Sequence, residues 1–164
     1  MKISIIYHSE TGNTSDVASL IEEGIKSVGD IKTKAMNLES IDKDFVNESQ
    51  AIIFGCPTYY ATYSWQIKKW FDETASKEGI NLSDKLGGIF VTENHIGGGA
   101  EMAAIGLAGM MLVKGMLVYS AGSSKGQPYT HIGAVTVKKG DDFQRDRAKL
   151  FGERMANKAL EIFK

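Results

Sequence analysis

The chain has 164 residues, 43% hydrophobic and 24% charged, which suits one domain, spanning 1–164, with a full hydrophobic core. With 19 basic against 20 acidic residues the formal net charge is −1, so neither a nucleic-acid surface nor a strongly acidic field is built in. A single cysteine, Cys56, excludes an internal disulfide and a Cys-based zinc cluster; three dispersed histidines argue against a metal site. The apolar stretch around 102–119 is broken by Gly and Lys114, so no membrane span is expected. The apolar run at the N-terminus is too short for a secretory signal, and a cytoplasmic location is the expectation.

Strand-like and helix-like runs alternate. "KISIIY" (2–7) reads as a buried strand, and Val17, Leu20, Ile21, Gly24, Ile25 and Val28 then form one helical stripe. "IKTKAMNL" (31–38) alternates like a strand near an edge, and 42–49 suits a short helix. "AIIFGCP" (51–57) is a central strand stopped by Pro57; helical spacing returns over 64–74 through Ile67, Trp70 and Phe71. "LGGIFVT" (86–92) and "MLVYSAG" (116–122) complete five strands, separated by a helix over 100–113 that is apolar nearly all round. That helix needs a cover on its outer side, either the 123–140 segment or another subunit, and a homo-oligomer (dimer or tetramer) is expected. Segment 123–140 is long for a connection and suggests a small hairpin or a flap. A final helix over 142–163 turns Phe143, Leu150, Phe151, Met155, Ala159 and Ile162 inward.

Strands interleaved with helices imply parallel pairing, and ligands in such α/β sheets sit beyond the carboxyl ends of the strands. The loops to weigh are therefore 8–14, 57–63 and 93–99. The first sets Ser9, Thr11, Gly12, Asn13 and Thr14 at a strand-to-helix junction, where free backbone N–H groups and the helix dipole attract a phosphate without any cation. A plain helix cap needs only one such residue. There is no G-x-x-x-x-G-K-[ST], and "GGGAEM" (97–102) fails G-x-G-x-x-G at Met102, so a monophosphate is the better match. The second loop, "CPTYYATYSW" (56–65), offers Tyr59, Tyr60, Tyr63 and Trp65 to a flat heteroaromatic ring. The third, "TENHIGGGAEM" (92–102), lets glycine backbone lie against a polar ring edge. Monophosphate, planar ring and polar edge together describe flavin mononucleotide (FMN). Cys56 reads as a buried small residue.

The chain resembles the flavodoxin-like superfamily. "SETGNT" (9–14) matches the flavodoxin phosphate loop. "GCPTYYATYSWQIKKWFDET" (55–74), "GGGAEMAAIGLAGMMLVKGMLV" (97–118) and "GQPYTHIGAVTV" (126–137) resemble the NAD(P)H:quinone oxidoreductases named after the tryptophan-repressor-binding protein. The resemblance covers essentially the whole chain. It implies a three-layer α/β sandwich around a five-stranded parallel sheet in order 2-1-3-4-5, with Ser9, Thr11, Gly12, Asn13 and Thr14 on the phosphate. Pro57, Thr58, Tyr59, Tyr60 and Ala61 would flank the isoalloxazine. Thr92, Glu93, Asn94, His95, Gly97 and Gly98 would line its pyrimidine edge. The chain departs from the quinone-reductase branch at Thr11, Tyr59 and Lys114, where that branch often carries Tyr, Arg and His; the departures bear on the nicotinamide partner.

Two functions follow as expectations. One is an FMN oxidoreductase moving hydride or electrons from NADH or NADPH to a quinone, flavin or similar small acceptor. The other is a flavodoxin-type electron carrier serving redox-protein partners. Carriers of that family usually present a strongly acidic face, which this near-neutral chain lacks, and that leans toward the enzyme. A donor beside the flavin N1–C2=O is expected, and His95, Lys114 and His131 are the candidates.

Overall fold

The computed structural model describes residues 1–163. Its elements in chain order are β1 (Lys2–Tyr7), α1 (Asn13–Lys26), β2 (Lys32–Asn37), α2 (Lys43–Glu48), β3 (Ala51–Tyr59), β4 (Thr62–Tyr63) and α3 (Trp65–Lys69). A π-helical turn (Trp70–Thr74) then leads through α4 (Ala75–Lys77) to β5 (Leu86–Glu93), α5 (Ala100–Val113), β6 (Leu117–Val118), β7 (Ala134–Val137) and α6 (Asp142–Ile162). No helix among the described residues is long and apolar enough to cross a membrane.

The main sheet runs β2-β1-β3-β5, all parallel, with β6 and β7 sharing the fifth position beside β5. This is the flavodoxin-like order, with the fifth strand in two pieces. β6 pairs only with Leu86 and Gly87, and β7 with Phe90 to Glu93. Between the two pieces the chain leaves the sheet, and an antiparallel bridge joins Gly122 to His131 within that excursion. The strand expected over 116–122 is therefore only its first half, and the tail of 123–140 is neither a free hairpin nor a flap over the site. "AVTV" (134–137) returns to the sheet because its alternate residues Ala134 and Thr136 are buried. The outer edge of β7 is closed by α6: Gln144 Oε1 accepts from Val137 N at 3.0 Å, and Arg147 donates to Val135 O at 2.6 Å. An edge strand covered in this way cannot recruit another strand.

Two cores flank the sheet. On one face lie Phe45, Val46, Ile67, Trp70, Phe71, Ala103, Leu107 and Met111 of the α2-to-α5 helices. On the other, Val17, Ile21 and Ile25 of α1 meet Phe151, Met155 and Ala159 of α6. Phe143 and Ile162 face solvent instead, 59% and 44% exposed, because the inward stripe of α6 runs through Ala148, Phe151, Met155 and Ala159. α1 and α6 approach so closely that a Cβ on Gly24 would stand 1.9 Å from Lys149 O, and one on Gly152 2.1 Å from Ile21 O. These helix backbones can touch only because both positions lack a side chain.

The register fixes what lies at the carboxyl edge. Tyr7 sits beside Gly55, and Pro57 beside Thr92, so β1, β3 and β5 end together and their loops converge. The crossing glycines hold α1 against this frame. Gly24→Ala or Gly152→Ala is expected to lower stability by about 1–3 kcal/mol through overpacking, measured by urea unfolding. An unchanged midpoint for both would contradict the tight crossing.

Candidate functional site

The three converging loops enclose a cavity of about 300 Å3 lined by Glu10, Thr11, Asn13 and Thr14, by Pro57, Thr58 and Tyr59, and by Thr92, Glu93 and Asn94. Its floor is the amino terminus of α1. The N-cap is Gly12, at φ 91°, with no side chain to satisfy the first turn. Only Ser9 Oγ reaches in, accepting from Ser15 N at 3.3 Å. Within the described residues the N–H groups of Asn13 and Thr14 have no hydrogen-bond partner. The hydroxyl-rich loop thus surrounds the helix end without capping it, leaving donors and the positive end of the dipole for an anion.

Local ties hold the loops together. Thr14 and Thr92 hydroxyls, both buried, bond at 2.8 Å and join the first loop to the third. Glu93, 8% exposed, turns its Oε2 to accept from Ala100 N at 3.3 Å, closing the start of α5 from below. The second loop is a hairpin in which Thr58 pairs with Tyr63 and Tyr59 with Thr62. Its tip, Tyr60 and Ala61, takes φ values of 47° and 67°, a left-handed turn normally built from Asn and Gly. Gly99 holds the tip in place: a Cβ there would fall 2.4 Å from Ala61 Cα. Tyr59 consequently faces the cavity while Tyr60 is wholly exposed.

Behind Tyr59 lies a polar network. Buried His8 shares a 3.1 Å hydrogen bond between Nδ1 and Ser64 Oγ, and its Nε2 is 3.7 Å from Glu10 Oε1. Gln66 donates to the same Glu10 oxygen at 3.0 Å. Ser64 is the N-cap of α3, yet its hydroxyl makes no capping bond. Burial holds the His8 pKa below its ordinary 6.5, opposed by the carboxylates of Glu10 and Glu39. Burial, aided by Glu10, raises Tyr59 above 10.0. Cys56, fully buried under the same loop, is pushed up to about 12 by burial, so its thiol stays protonated and inert at neutral pH.

The flavodoxin family profile matches residues 5–105, which include all three loops. The chain is also 50% identical over 163 residues to a flavodoxin of Clostridium saccharobutylicum, covering 99% of this chain and all of the relative.

The chain belongs to the flavodoxin family.

It also matches an NAD(P)H dehydrogenase (quinone) of Archaeoglobus fulgidus at 29% identity, over 98% of both chains. Among solved structures, the chain superposes on a flavodoxin from the domain Archaea with a TM-score of 0.79 at 26% identity, covering 98% of this chain and 99% of the other. A flavodoxin, WrbA-like protein from Agrobacterium tumefaciens gives 0.74 at 27% identity, covering 98% of each.

Of the residues singled out in the sequence, the cavity gathers Thr11, Asn13, Thr14, Pro57, Thr58, Tyr59, Thr92, Glu93 and Asn94 on its wall, with Ser9 and Gly12 at its base. Tyr60, Ala61, His95 and Gly97 lie outside the wall and are exposed; Gly98 is packed against Glu93. Lys114 is a correction. It is the C-cap of α5, which runs back from the carboxyl end of β5, and its Nζ reaches Ser76 at the amino end of the sheet. A 14-residue helix spans about 21 Å, too far for a contact with the site. His131 is also displaced: it lines a separate cleft with Glu101, Ile132 and Arg147 at the sheet edge. The sequence reading overlooked Glu10 on the wall and the His8–Ser64 pair behind it; their only sequence signal was a histidine directly after an apolar strand.

Two predictions follow from these ties. Gly99→Ala would force the hairpin tip aside and is expected to lower stability by about 1–3 kcal/mol in urea unfolding; no loss would contradict the seating of the tip on α5. His8 titrates at 6.5 when unfolded and lower when folded, so below that pH the unfolded chain binds more protons. The stability it contributes is whole above pH 6.5 and is lost as pH falls toward the folded value. His8→Gln should therefore flatten the decline in apoprotein melting temperature between about pH 7.5 and 5. An identical slope in the variant would refute this.

Proposed function

We propose that the chain binds FMN and works as a flavodoxin-type electron carrier between redox proteins. The observation that carries FMN binding is the uncapped start of α1 in a ring of hydroxyls, a cation-free seat for a monophosphate. Tyr59 and Pro57 on the wall suit a flat ring, and Glu93 and Asn94 suit its polar edge. On this reading Ser9, Thr11, Gly12, Asn13 and Thr14 hold the phosphate. Pro57 to Ala61 flank the ring, and Thr92 to His95 with Gly97 and Gly98 border the pyrimidine. When bound, FMN supplies a ring that takes up and gives back electrons one or two at a time. The protein's own part is to fix that ring, limit water around it and set the charge at its edge. Glu93 is a buried acid in that border, and no basic side chain lines the cavity.

The carrier reading is supported by full-length similarity to a flavodoxin at 50% identity and by Thr11 in the phosphate loop. The second reading, an oxidoreductase passing electrons from NADH or NADPH to a quinone, is favoured by the near-zero net charge and by the full-length quinone-dehydrogenase relative.

Mixing the FMN-loaded protein anaerobically with NADPH and then NADH separates them. The carrier stays yellow with both and bleaches with a low-potential chemical reductant; rapid bleaching by either nucleotide would establish the oxidoreductase instead. Thr14→Val breaks the Thr14–Thr92 bond and should weaken FMN binding about tenfold, read by quenching of FMN fluorescence. Undiminished affinity would show that this tie does not shape the site.

A further inference from the structure

The polar network behind Tyr59 has one buried titratable member to which FMN binding assigns no task. His8 follows β1 directly and is 5% exposed. Its backbone is fixed to β3, His8 N donating to Gly55 O at 3.1 Å, and its ring meets that of Tyr59 edge-on at 6.0 Å between centroids. Nδ1 faces Ser64 Oγ at 3.1 Å, and Nε2 faces Glu10 Oε1 at 3.7 Å, just beyond hydrogen-bond length. Glu10 lines the cavity beside Thr11 and accepts a hydrogen bond from Gln66 at 3.0 Å.

Both charge states of this imidazole find partners in place. Ser64 Oγ makes no capping bond, so its hydroxyl can donate to Nδ1 of the neutral ring or accept from the protonated one. When it accepts, its own proton has the sulfur of Cys56 as a partner. The titratable groups facing His8 are Glu10 on its own loop, Glu39 beyond β2, and Tyr59 and Cys56 on β3; α3 contributes only the neutral Ser64 and Gln66. The charged groups in this set, Glu10 and Glu39, are both carboxylates. Glu10 thus carries a negative charge on the wall of a cavity whose floor is an uncapped helix terminus, and it opposes any anion seated there.

We infer that His8 is a positioning residue for the anion seat, which through Glu10 couples the binding of a phosphate monoester to the uptake of a proton. The inference rests on the FMN reading and concerns control of that same site. In the free protein burial favours the neutral ring, and Nε2 only approaches Glu10. A dianion at the start of α1 adds negative charge beside Glu10. A proton taken from solvent onto His8 then turns the 3.7 Å approach into a charge-assisted hydrogen bond, which neutralises Glu10 and draws it from the seat. Linkage makes the effect reciprocal: acid strengthens anion binding by the same factor as the anion strengthens proton binding.

Titrating FMN and riboflavin into apoprotein by fluorescence quenching, at about pH 7.5 and about pH 5.5, reads this coupling. The FMN phosphate takes up a proton of its own at about pH 6, a contribution common to wild type, His8→Gln and Glu10→Gln. Relative to either variant, the wild type should gain about threefold in FMN affinity on going to the lower pH. For riboflavin, which lacks the phosphate, the three proteins should change in parallel. Glu10→Gln should also bind FMN more tightly than wild type at the higher pH. The Glu10 side chain is exposed, so this comparison stands even if His8→Gln folds poorly. Parallel FMN profiles in all three proteins, or a gain that persists in Glu10→Gln, would overturn the inference while leaving FMN binding intact. No quenching of FMN by the wild type would overturn both.

Discussion

The amino terminus of α1 faces inward with its first N–H groups unspent. Such groups are ordinarily capped by a side chain or by water, because an unpartnered backbone donor is costly once it leaves solvent. Here Gly12 stands at the cap position, and of the surrounding hydroxyls only Ser9 Oγ takes up a first-turn N–H, that of Ser15. The rest of the structure keeps this arrangement in place. β1 delivers the chain to the helix start, and paired glycines press α1 onto α6. The register of β1, β3 and β5 brings two further loops level with that terminus.

Rigidity around this point comes from contacts distant in sequence. Thr14 meets Thr92 across 78 residues, and His8 meets Ser64 across 56. The hairpin tip keeps an unfavourable backbone because Gly99 and Tyr63 leave it no other room: Tyr63 packs where a Cβ on Gly106 would be. Strain of this kind, of the order of 1–3 kcal/mol per residue, persists only where packing over-determines it. Its effect is to aim Tyr59 into the cavity and Tyr60 away. A site whose walls are already fixed loses less entropy on taking up a rigid planar ligand.

Much of this was legible from the chain itself. "KISIIY" is a strand over the same six residues, and the apolar run over 100–113 is α5 to the residue. The phosphate loop was readable because its signal is local: four donor side chains and a glycine in six positions at the end of an apolar strand. What escaped the reading was non-local. The fifth strand is split because β6 is too short to cover β5, and the second half arrives 16 residues later as Ala134 to Val137. Lys114 looked like a site residue until the direction of α5 carried it to the opposite end of the sheet. Tyr60–Ala61 lacks the Asn-Gly signature of its turn, since packing on α5 enforces what composition does not. Phe143 and Ile162 fit a helical stripe, yet the narrow approach of α6 to α1 admits Gly and Ala at the crossing and leaves both large side chains outside.

The central claim is that the open helix terminus seats a phosphate without a cation. Comparing FMN with riboflavin tests it most directly, because the two share the ring and differ in that group. Titrated into apoprotein under the same conditions, FMN should bind at least about a hundredfold more tightly, equivalent to some 2.7 kcal/mol. Equal affinities for the two would contradict the account.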